Sequence, residues 1–186
     1  MELLDIVNEN NMLTGKQENR EVIHKEGLYH REVSIWIMNE KGELLLQRRS
    51  PTKKHSPKKW AITGGHVTAG EEPIYVARKE IFEEIGLNVK EEEIEILFIT
   101  KLEKKISDVQ YNNHFSYFYF VKTDKKISEF IIQEEELSEL KYISIQELEN
   151  IIKNQDEEYV FSKGKYMIKL INIFKEKEKS LWEKKL

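Results

Sequence analysis

The chain contains no cysteine and only three prolines among its 186 residues. Without cysteine, disulfide bridges, thiolate zinc sites and cysteine nucleophiles are all excluded. The scarcity of proline, with no internal repeat and no low-complexity linker, gives little sign of a domain boundary. We therefore expect a single domain over residues 1–186.

The chain also lacks a strong charge of either sign, because 30 basic residues face 34 acidic ones and the formal net charge is −4. Polymeric nucleic acid and anionic membranes are therefore poor partners for it. No apolar run approaches the length that crosses a bilayer, and the residues from Met1 to Asp5 lack the basic and apolar segments of a targeting signal. We expect a cytoplasmic protein that acts on a small molecule, with a homodimer as the assembly to test.

Three carboxylates recur at helical spacing in the middle of the chain. Glu80, Glu83 and Glu84 fall at positions i, i+3 and i+4, so a helix projects them from one arc. Like charges at this spacing repel each other, and a hard divalent cation that prefers oxygen ligands relieves the repulsion. Pro73 suits the first turn of this helix, and Gly86 suits a left-handed position after its last turn. The segment predicts a helix that carries a metal site.

A glycine-rich loop precedes this helix and completes a longer pattern. The pattern is Gly65, five residues, Glu71, seven residues, and then the run from Lys79 to Leu87, which reads KEIFEEIGL. It resembles the signature of the Nudix hydrolases, the MutT-like superfamily, at every fixed position except Lys79, where the family usually has Arg. Lysine keeps the charge but loses the bidentate fork of a guanidinium. The likeness covers roughly residues 30–148.

The resemblance implies an α/β fold, the α/β/α sandwich of the Nudix type with a mixed β-sheet. It also implies hydrolysis of a diphosphate linkage in a nucleoside diphosphate joined to another moiety X, with Mg²⁺ or Mn²⁺ as cofactor. By motif position, Glu80, Glu83 and Glu84 would be metal ligands, and the Gly65 carbonyl would be an additional one. Glu83 and Glu84 would also be catalytic. The identity of X lies outside the motif and stays open.

Other candidate residues follow from the same resemblance. Glu71 would steady the glycine loop through its partner Lys79. A further carboxylate beyond the motif often acts as base in this family, and Glu136, with Glu135 as the alternative, lies where such a residue usually falls. Two cations would contact the substrate phosphates, since positive charge adds binding and transition-state stabilisation; they are Arg48 and Arg49.

Two alternatives to the hydrolase stay open. His24, His30 and His66 resemble residues of type I isopentenyl diphosphate isomerase, which shares the Nudix fold. That enzyme needs a cysteine acid/base, and the matching position here is Gly64, so the isomerase is disfavoured. Whether His30 and His66 bind metal is undecided. A non-catalytic nucleotide-binding module is the other alternative, and it is disfavoured because the motif carboxylates are all present.

Periodicity predicts the remaining elements. Residues 1–28 suit a strand pair, and residues 158–186 suit a C-terminal helix. The helix has an apolar stripe that favours a place in the core, formed by Tyr166, Met167, Leu170, Ile171 and Phe174. Between these ends we expect, in order, a hairpin of Glu32–Met38 and Glu43–Arg49, two strands at Ile94–Leu102 and Tyr111–Lys122, a strand at Leu140–Ser144 and a helix at Gln146–Lys153.

Overall fold

The computed structural model of the chain describes residues 2–161 and 163–183. Met1, Ser162 and residues 184–186, which the predicted domain and its terminal elements include, lie outside the described residues. The elements follow one another as β1 (Leu3–Val7), β2 (Leu13–Asn19), α1 (Arg20–Glu26), β3 (His30–Asn39), β4 (Leu44–Arg49), β5 (Trp60–Ala61), β6 (Thr63–His66), α2 (Pro73–Ile85), β7 (Glu95–Ser107), β8 (Gln110–Thr123), β9 (Leu137–Ile143), α3 (Ile145–Asn154) and α4 (Met167–Glu183). Over its described range, the chain has no helix with the length and apolar character that a membrane span requires.

The described chain divides into two compact units. The first takes the residues up to Ile35 with Gly64–Phe82 and Asn88–Phe120, and the second takes Trp36–Thr63, Glu83–Leu87 and the residues from Val121 onward. The prediction of a single domain stays a prediction.

Seven strands form a sheet in the hydrogen-bonding order β5-β4-β3-β8-β7, with β6 paired to β3 and β9 paired to β4. In the first unit, β7 and β8 form an antiparallel hairpin with Ile99 opposite Tyr117. In the second unit, β4 has antiparallel partners in β5 and β9, with Leu46 opposite Lys141. The predicted α/β fold with a mixed sheet is confirmed.

Helix α2 begins and ends where the sequence predicts. Pro73 is its first residue, and Gly86, with a φ of 63°, follows its last residue, Ile85. Glycine adopts that left-handed conformation without strain. The face of α2 next to its glutamates is buried, since Ala77 and Ile81 have no exposed surface. Burial of this stripe fixes which face of the helix the three carboxylates occupy.

Two predictions of secondary structure need correction. The strand pair at the N-terminus is confirmed as β1 and β2, but Arg20–Glu26 forms α1, which the turn-rich sequence does not reveal. The C-terminal helix begins at Met167 and not at residue 158. The preceding segment pairs with β5, because Trp60 N donates to the Glu158 carbonyl at 2.8 Å and Val160 N donates to the Trp60 carbonyl at 3.0 Å. Those backbone bonds replace the first turns of the predicted helix.

The core of the second unit contains the apolar stripe of α4. Met167, Leu170 and Phe174 have no exposed surface, as the predicted role of the stripe requires. Trp36 packs against Phe174 and Phe161, with ring centroids 5.1 Å and 5.3 Å apart. Aromatic pairs at this separation add to the stabilisation from buried apolar area.

Candidate active site

Gly65 and Glu80 meet in the first unit. A Cβ added to Gly65 would lie 2.4 Å from Glu80 Oε1, so any side chain at this position would displace the carboxylate. The strand that carries Gly65, β6, is paired to β3. Two of the residues predicted to bind metal are therefore in contact.

The neighbouring Gly64 is enclosed even more tightly. A Cβ on Gly64 would lie 2.3 Å from the carbonyl oxygen of Val33, which is a backbone atom of β3. Because a backbone atom cannot swing aside as a flexible side chain does, a side chain at this position requires the two strands to separate. The position that matches the isomerase cysteine is closed to a cysteine in this structure.

Glu83 and Glu84 belong to the second unit and differ in exposure. Glu83 is exposed, whereas Glu84 is only 7% exposed. Gln47 Nε2 donates to Glu84 Oε2 at 3.1 Å and to the Ile62 carbonyl at 3.2 Å, and Gln47 Oε1 accepts from Thr63 Oγ1 at 3.0 Å. The hydroxyl and the carbonyl fix which end of the Gln47 amide faces Glu84. Gln47 therefore holds one oxygen of the Glu84 carboxylate in place.

The predicted base lies on a segment next to the end of α2 in the second unit. Gln133 N donates to the backbone carbonyl of Glu84 at 3.0 Å, and Glu136 N donates to the Gln133 carbonyl at 2.9 Å. The Glu136 carboxylate is half-buried and accepts a hydrogen bond from Lys53 Nζ. Glu135 is exposed. The assignment of either residue as base stays a prediction.

Arg48 and Arg49 hold the loop between β4 and β5. Arg48 Nε donates to the Lys58 carbonyl at 3.0 Å, and Arg49 Nε donates to the His55 carbonyl at 3.1 Å. Arg48 also forms an ion pair with Glu139 at 3.3 Å. These contacts give both arginines a structural role, and their predicted contact with phosphate stays a prediction.

Glu71 and Lys79 form the ion pair that the motif predicts. Lys79 Nζ lies 3.7 Å from Glu71 Oε1, while Glu71 Oε2 is buried and, among the described residues, has no hydrogen-bond partner. Next to this pair, Gly70 N donates to Asp5 Oδ2 at 2.7 Å, which ties the loop to β1. An ammonium group reaches one oxygen of the carboxylate, where a guanidinium fork would reach both.

Four ligand-bearing side chains converge elsewhere in the first unit. His24, His30, Glu32 and His66 each direct one ligand atom into a common space, and these atoms all lie within 4.8 Å of one another. His66 Nε2 lies 3.2 Å from His24 Nε2. Glu32 Oε1 lies 3.3 Å from His30 Nε2 and 3.2 Å from His66 Nε2. We call these four residues the histidine cluster.

Burial sets the charge state of the histidine cluster. It disfavours the charged imidazole and lowers the pKa of His24 to about 4 and the pKa of His66 to about 3. Burial alone would raise the pKa of Glu32, but the facing His114 and His66 side chains hold that pKa well below its usual range. At neutral pH the cluster therefore presents neutral imidazoles at His24 and His66 beside an ionised carboxylate.

Sequence reasoning identified the three histidines but missed Glu32 and its supports on β8. His114 Nε2 lies 3.3 Å from Glu32 Oε2, and Asn112 Nδ2 donates to Glu32 Oε1 at 3.1 Å. A signal was available, because Glu32 follows His30 by two residues in a strand and so shares its face. Asn112 and His114 have the same spacing in β8.

The NUDIX domain family profile matches residues 28–163, which is most of the chain. The chain belongs to the Nudix family. This confirms the family that the glycine loop and the three glutamates of α2 indicate.

Known Nudix proteins resemble this chain over most of its length. Nudix hydrolase 3 of Arabidopsis thaliana is 34% identical over 164 residues, which cover 86% of this chain but only 21% of that protein. The chain thus spans about a fifth of the length of the plant relative. An isopentenyl-diphosphate Delta-isomerase of Pectobacterium atrosepticum is 31% identical over 144 residues, covering 77% of this chain and 76% of that one. The crystal structure of DR0079 from Deinococcus radiodurans has the same fold, with a TM-score of 0.64 at 22% identity, covering 92% of this chain and 98% of that one.

Replacing Lys79 with Arg should stabilise the Nudix protein. The guanidinium gives Glu71 Oε2 a hydrogen-bond donor where the described residues offer none, and a hydrogen bond to a partly exposed carboxylate contributes about 1 kcal/mol. For a chain of this size that raises Tm by about 2–4 °C, which calorimetry measures. The matched control is Lys90→Arg, whose pair with Glu92 has the same 3.7 Å distance but is 77% exposed at the lysine. Equal shifts in Tm for the two variants would contradict the predicted hydrogen bond from Arg to Glu71 Oε2.

Replacing Gln47 with Leu should destabilise the second unit. The change removes the donor to Glu84 Oε2 and the acceptor for Thr63 Oγ1, and the loss of these buried hydrogen bonds costs about 3 kcal/mol in the free energy of unfolding. Urea denaturation measures the loss. Thr63→Val removes one of these bonds without touching Glu84, so it should cost less than half as much. An unchanged midpoint for Gln47→Leu would show that the amide does not hold Glu84.

Proposed function

We propose that this chain is a metal-dependent pyrophosphohydrolase that cleaves the diphosphate linkage of a nucleoside diphosphate joined to another moiety X. The observation that carries the proposal is helix α2, which is continuous from Pro73 to Ile85 and bears Glu80, Glu83 and Glu84 at helical spacing. Family membership supports it, since the range that matches the NUDIX domain, residues 28–163, contains these three glutamates.

The donor set of α2 fits the cofactor that the family implies. Carboxylate oxygens are ligands that Mg²⁺ and Mn²⁺ accept, so Glu80, Glu83 and Glu84 would hold the cation, with the Gly65 carbonyl as a further donor. When bound, the cation supplies charge neutralisation for the diphosphate and a lowered pKa for bound water. The packing of Glu80 against Gly65 and the bond from Gln47 to Glu84 hold two of these carboxylates in place before substrate arrives.

The reaction itself is the addition of water to phosphorus with cleavage of the bridging P–O bond. The proton of the attacking water passes to a carboxylate, for which Glu136 is our choice and Glu135 the alternative. Glu136 accepts a hydrogen bond from Lys53 Nζ, which fixes the orientation of its carboxylate. Arg48 and Arg49 would stabilise the negative charge of the phosphates.

An isomerase acting on isopentenyl diphosphate is the second candidate. The identity to the Pectobacterium isomerase and the histidine cluster favour it. Against it stand the absence of cysteine from the chain and the closed position at Gly64, where the Val33 carbonyl leaves no room for a side chain. The hydrolase therefore ranks first.

The two candidates are separated by assays on one protein preparation. Phosphate and pyrophosphate release is measured over nucleoside triphosphates, dinucleoside polyphosphates, nucleotide sugars, dinucleotide cofactors and CoA esters, with Mg²⁺, with Mn²⁺ and with chelator. Isomerisation of isopentenyl diphosphate is measured alongside. We expect metal-dependent cleavage of one substrate class and no isomerisation. Isomerisation without cleavage would reverse the ranking, and metal binding without any turnover would favour a binding module.

Glu83→Gln should remove most of the metal-dependent hydrolysis, by more than about 100-fold in kcat/KM, because it replaces a charged ligand by a neutral one of the same size. Glu83 is exposed, so the folded state should keep its Tm. Glu84→Gln should have the same effect on rate. The control is Glu176→Gln on the exposed face of α4, which should leave the rate unchanged. Full activity in a Glu83→Gln/Glu84→Gln double variant would contradict the assignment of these two glutamates to the active site.

A further inference from the structure

Strand β7 forms an edge of the seven-stranded sheet. The hydrogen-bonding order ends at β7, and within residues 2–161 and 163–183 its one strand neighbour is β8. The strand is long, because it runs for 13 residues from Glu95 to Ser107. The backbone groups of β7 that point away from β8 therefore meet no strand of the described chain. An edge of this length is a template for pairing with another chain.

The hairpin of β7 and β8 also exposes large apolar side chains. Four β-branched residues of this hairpin are between 45% and 73% exposed, three of them on β7 and one in the turn; they are Ile96, Ile99, Ile106 and Val109. Exposed apolar side chains that lie close together mark surfaces for protein interaction. The edge thus combines unpaired backbone groups with an apolar surface, which is the combination that strand addition by a protein uses.

The charged side chains of β7 decide which strand can pair with it. Lysine on an edge strand usually discourages pairing, and β7 carries three lysines. Among them lies the exposed Glu103, whose Oε1 is 3.1 Å from Lys101 Nζ. Side chains alternate along a strand, so Lys101 and Glu103 share one face of β7 while Lys104 belongs to the other. A partner strand must therefore offer an acid opposite Lys101 and a base opposite Glu103.

A second copy of β7 meets this requirement. When two antiparallel copies are related by a two-fold axis at Leu102, Lys101 of each copy lies opposite Glu103 of the other. An axis one residue away, at Lys101 or at Glu103, would put two like charges opposite each other, which is destabilising. In the register centred on Leu102, Ile99 lies opposite Lys105 of the partner subunit, and the methylene stem of a lysine can cover apolar surface.

We propose that two copies of this chain associate through the edges of β7, antiparallel about a two-fold axis at Leu102. The strands then follow one another in the order β8-β7-β7-β8. Strand β7 is regular where the axis passes, since both register shifts in its pairing with β8 lie outside Phe98–Lys105. Because the same edge is used by both copies, the contact is closed and association stops at the dimer. This inference does not rest on the proposed hydrolysis.

Tyr29 holds the two charged side chains of this register in position. Its hydroxyl donates to Glu103 Oε1, and Lys101 Nζ lies 4.4 Å from the centroid of its ring. The ring of Tyr29 itself packs against Phe115 of β8, with centroids 5.9 Å apart. Side chains that are already fixed lose less conformational entropy when a partner pairs with them. Lys101 and Glu103 are therefore pre-organised for the second copy.

The first test measures the mass of the full chain against its concentration by sedimentation equilibrium, together with amide hydrogen exchange by mass spectrometry. We expect a reversible monomer–dimer equilibrium, with slower exchange in peptides from β7 at high concentration than at low concentration. The β1–β2 ribbon also exposes apolar side chains, at Leu3, Met12 and Leu13, and its peptides should exchange equally at both concentrations. A chain that stays monomeric up to about 1 mM would overturn the proposal, and so would a dimer that protects the ribbon and not β7.

Charge exchange tests the register. Lys101→Glu and Glu103→Lys each put like charges opposite one another at two points of the contact, so each should weaken self-association by about 10-fold. A mixture of the two variants has opposite charges at both points and should form a heterodimer at concentrations where each variant alone is mainly monomeric. The double variant Lys101→Glu/Glu103→Lys should associate as the unsubstituted chain does.

The matched control is Lys104→Glu, which changes the net charge by the same amount as Lys101→Glu on the same strand. Thr100 of the partner subunit lies opposite it, so the dissociation constant should change by less than about 2-fold. Circular dichroism and Tm check the folding of each variant, and hydrogen exchange on the unsubstituted chain is independent of all of them. The proposal is overturned if the mixture stays monomeric, or if Lys104→Glu weakens association as much as Lys101→Glu does.

Discussion

Strand β6 lies close against its neighbours at two glycines. At Gly64 the neighbour is the Val33 carbonyl of β3, and at Gly65 it is the carboxylate of Glu80, with separations from an added Cβ of 2.3 Å and 2.4 Å. The close approach at Gly64 brings β6 and β3 together. The close approach at Gly65 brings the Glu80 carboxylate next to the Gly65 backbone, and both are proposed ligands of one cation. Alanine at either position would force a strand or a carboxylate to move.

This packing also places the next residue. His66 follows the two glycines on β6 and reaches His24 and Glu32, so the same strand serves the glutamate motif and the histidine cluster. The two donor sets nevertheless differ in chemistry. The carboxylates of α2 offer oxygen and suit hard cations, whereas the cluster offers mostly nitrogen and suits transition ions. Because their donor atoms differ, the α2 carboxylates and the histidine cluster prefer different kinds of cation, even though β6 contributes to both.

The sequence predicts elements that are determined by neighbouring residues, and it misses contacts between segments that are distant along the chain. Helix α2 was predictable because its three glutamates, its apolar stripe, Pro73 and Gly86 all lie within one short run. The segment from residue 158 was predicted as helix because its apolar spacing continues that of α4, but backbone pairing with Trp60 was stronger than local preference. Tertiary hydrogen bonds of this kind leave no mark in the spacing of residues.

The candidate site shows the same division. Spacing alone identifies Glu80, Glu83 and Glu84, and the motif identifies the pair of Glu71 and Lys79. Gln47 lies 37 positions from Glu84, and His114 lies 82 positions from Glu32, so their contacts exist only once the sheet has formed. The sequence signal for both contacts is a polar side chain at a strand position, Gln47 in β4 and His114 in β8, because a polar side chain that becomes buried requires a partner.

The fold alone does not distinguish a hydrolase from an isomerase. One protein similar to this chain is named a hydrolase, and another is named an isomerase. The choice depends on a few atoms around β6. An acid/base side chain at position 64 requires β6 and β3 to separate, and the pairing of those strands also holds His66 and Glu32 in the cluster. Within this arrangement of β3 and β6, the chain has the histidines that resemble those of an isomerase but no room at position 64 for the acid/base side chain, so the likeness of the histidines does not by itself indicate isomerase chemistry.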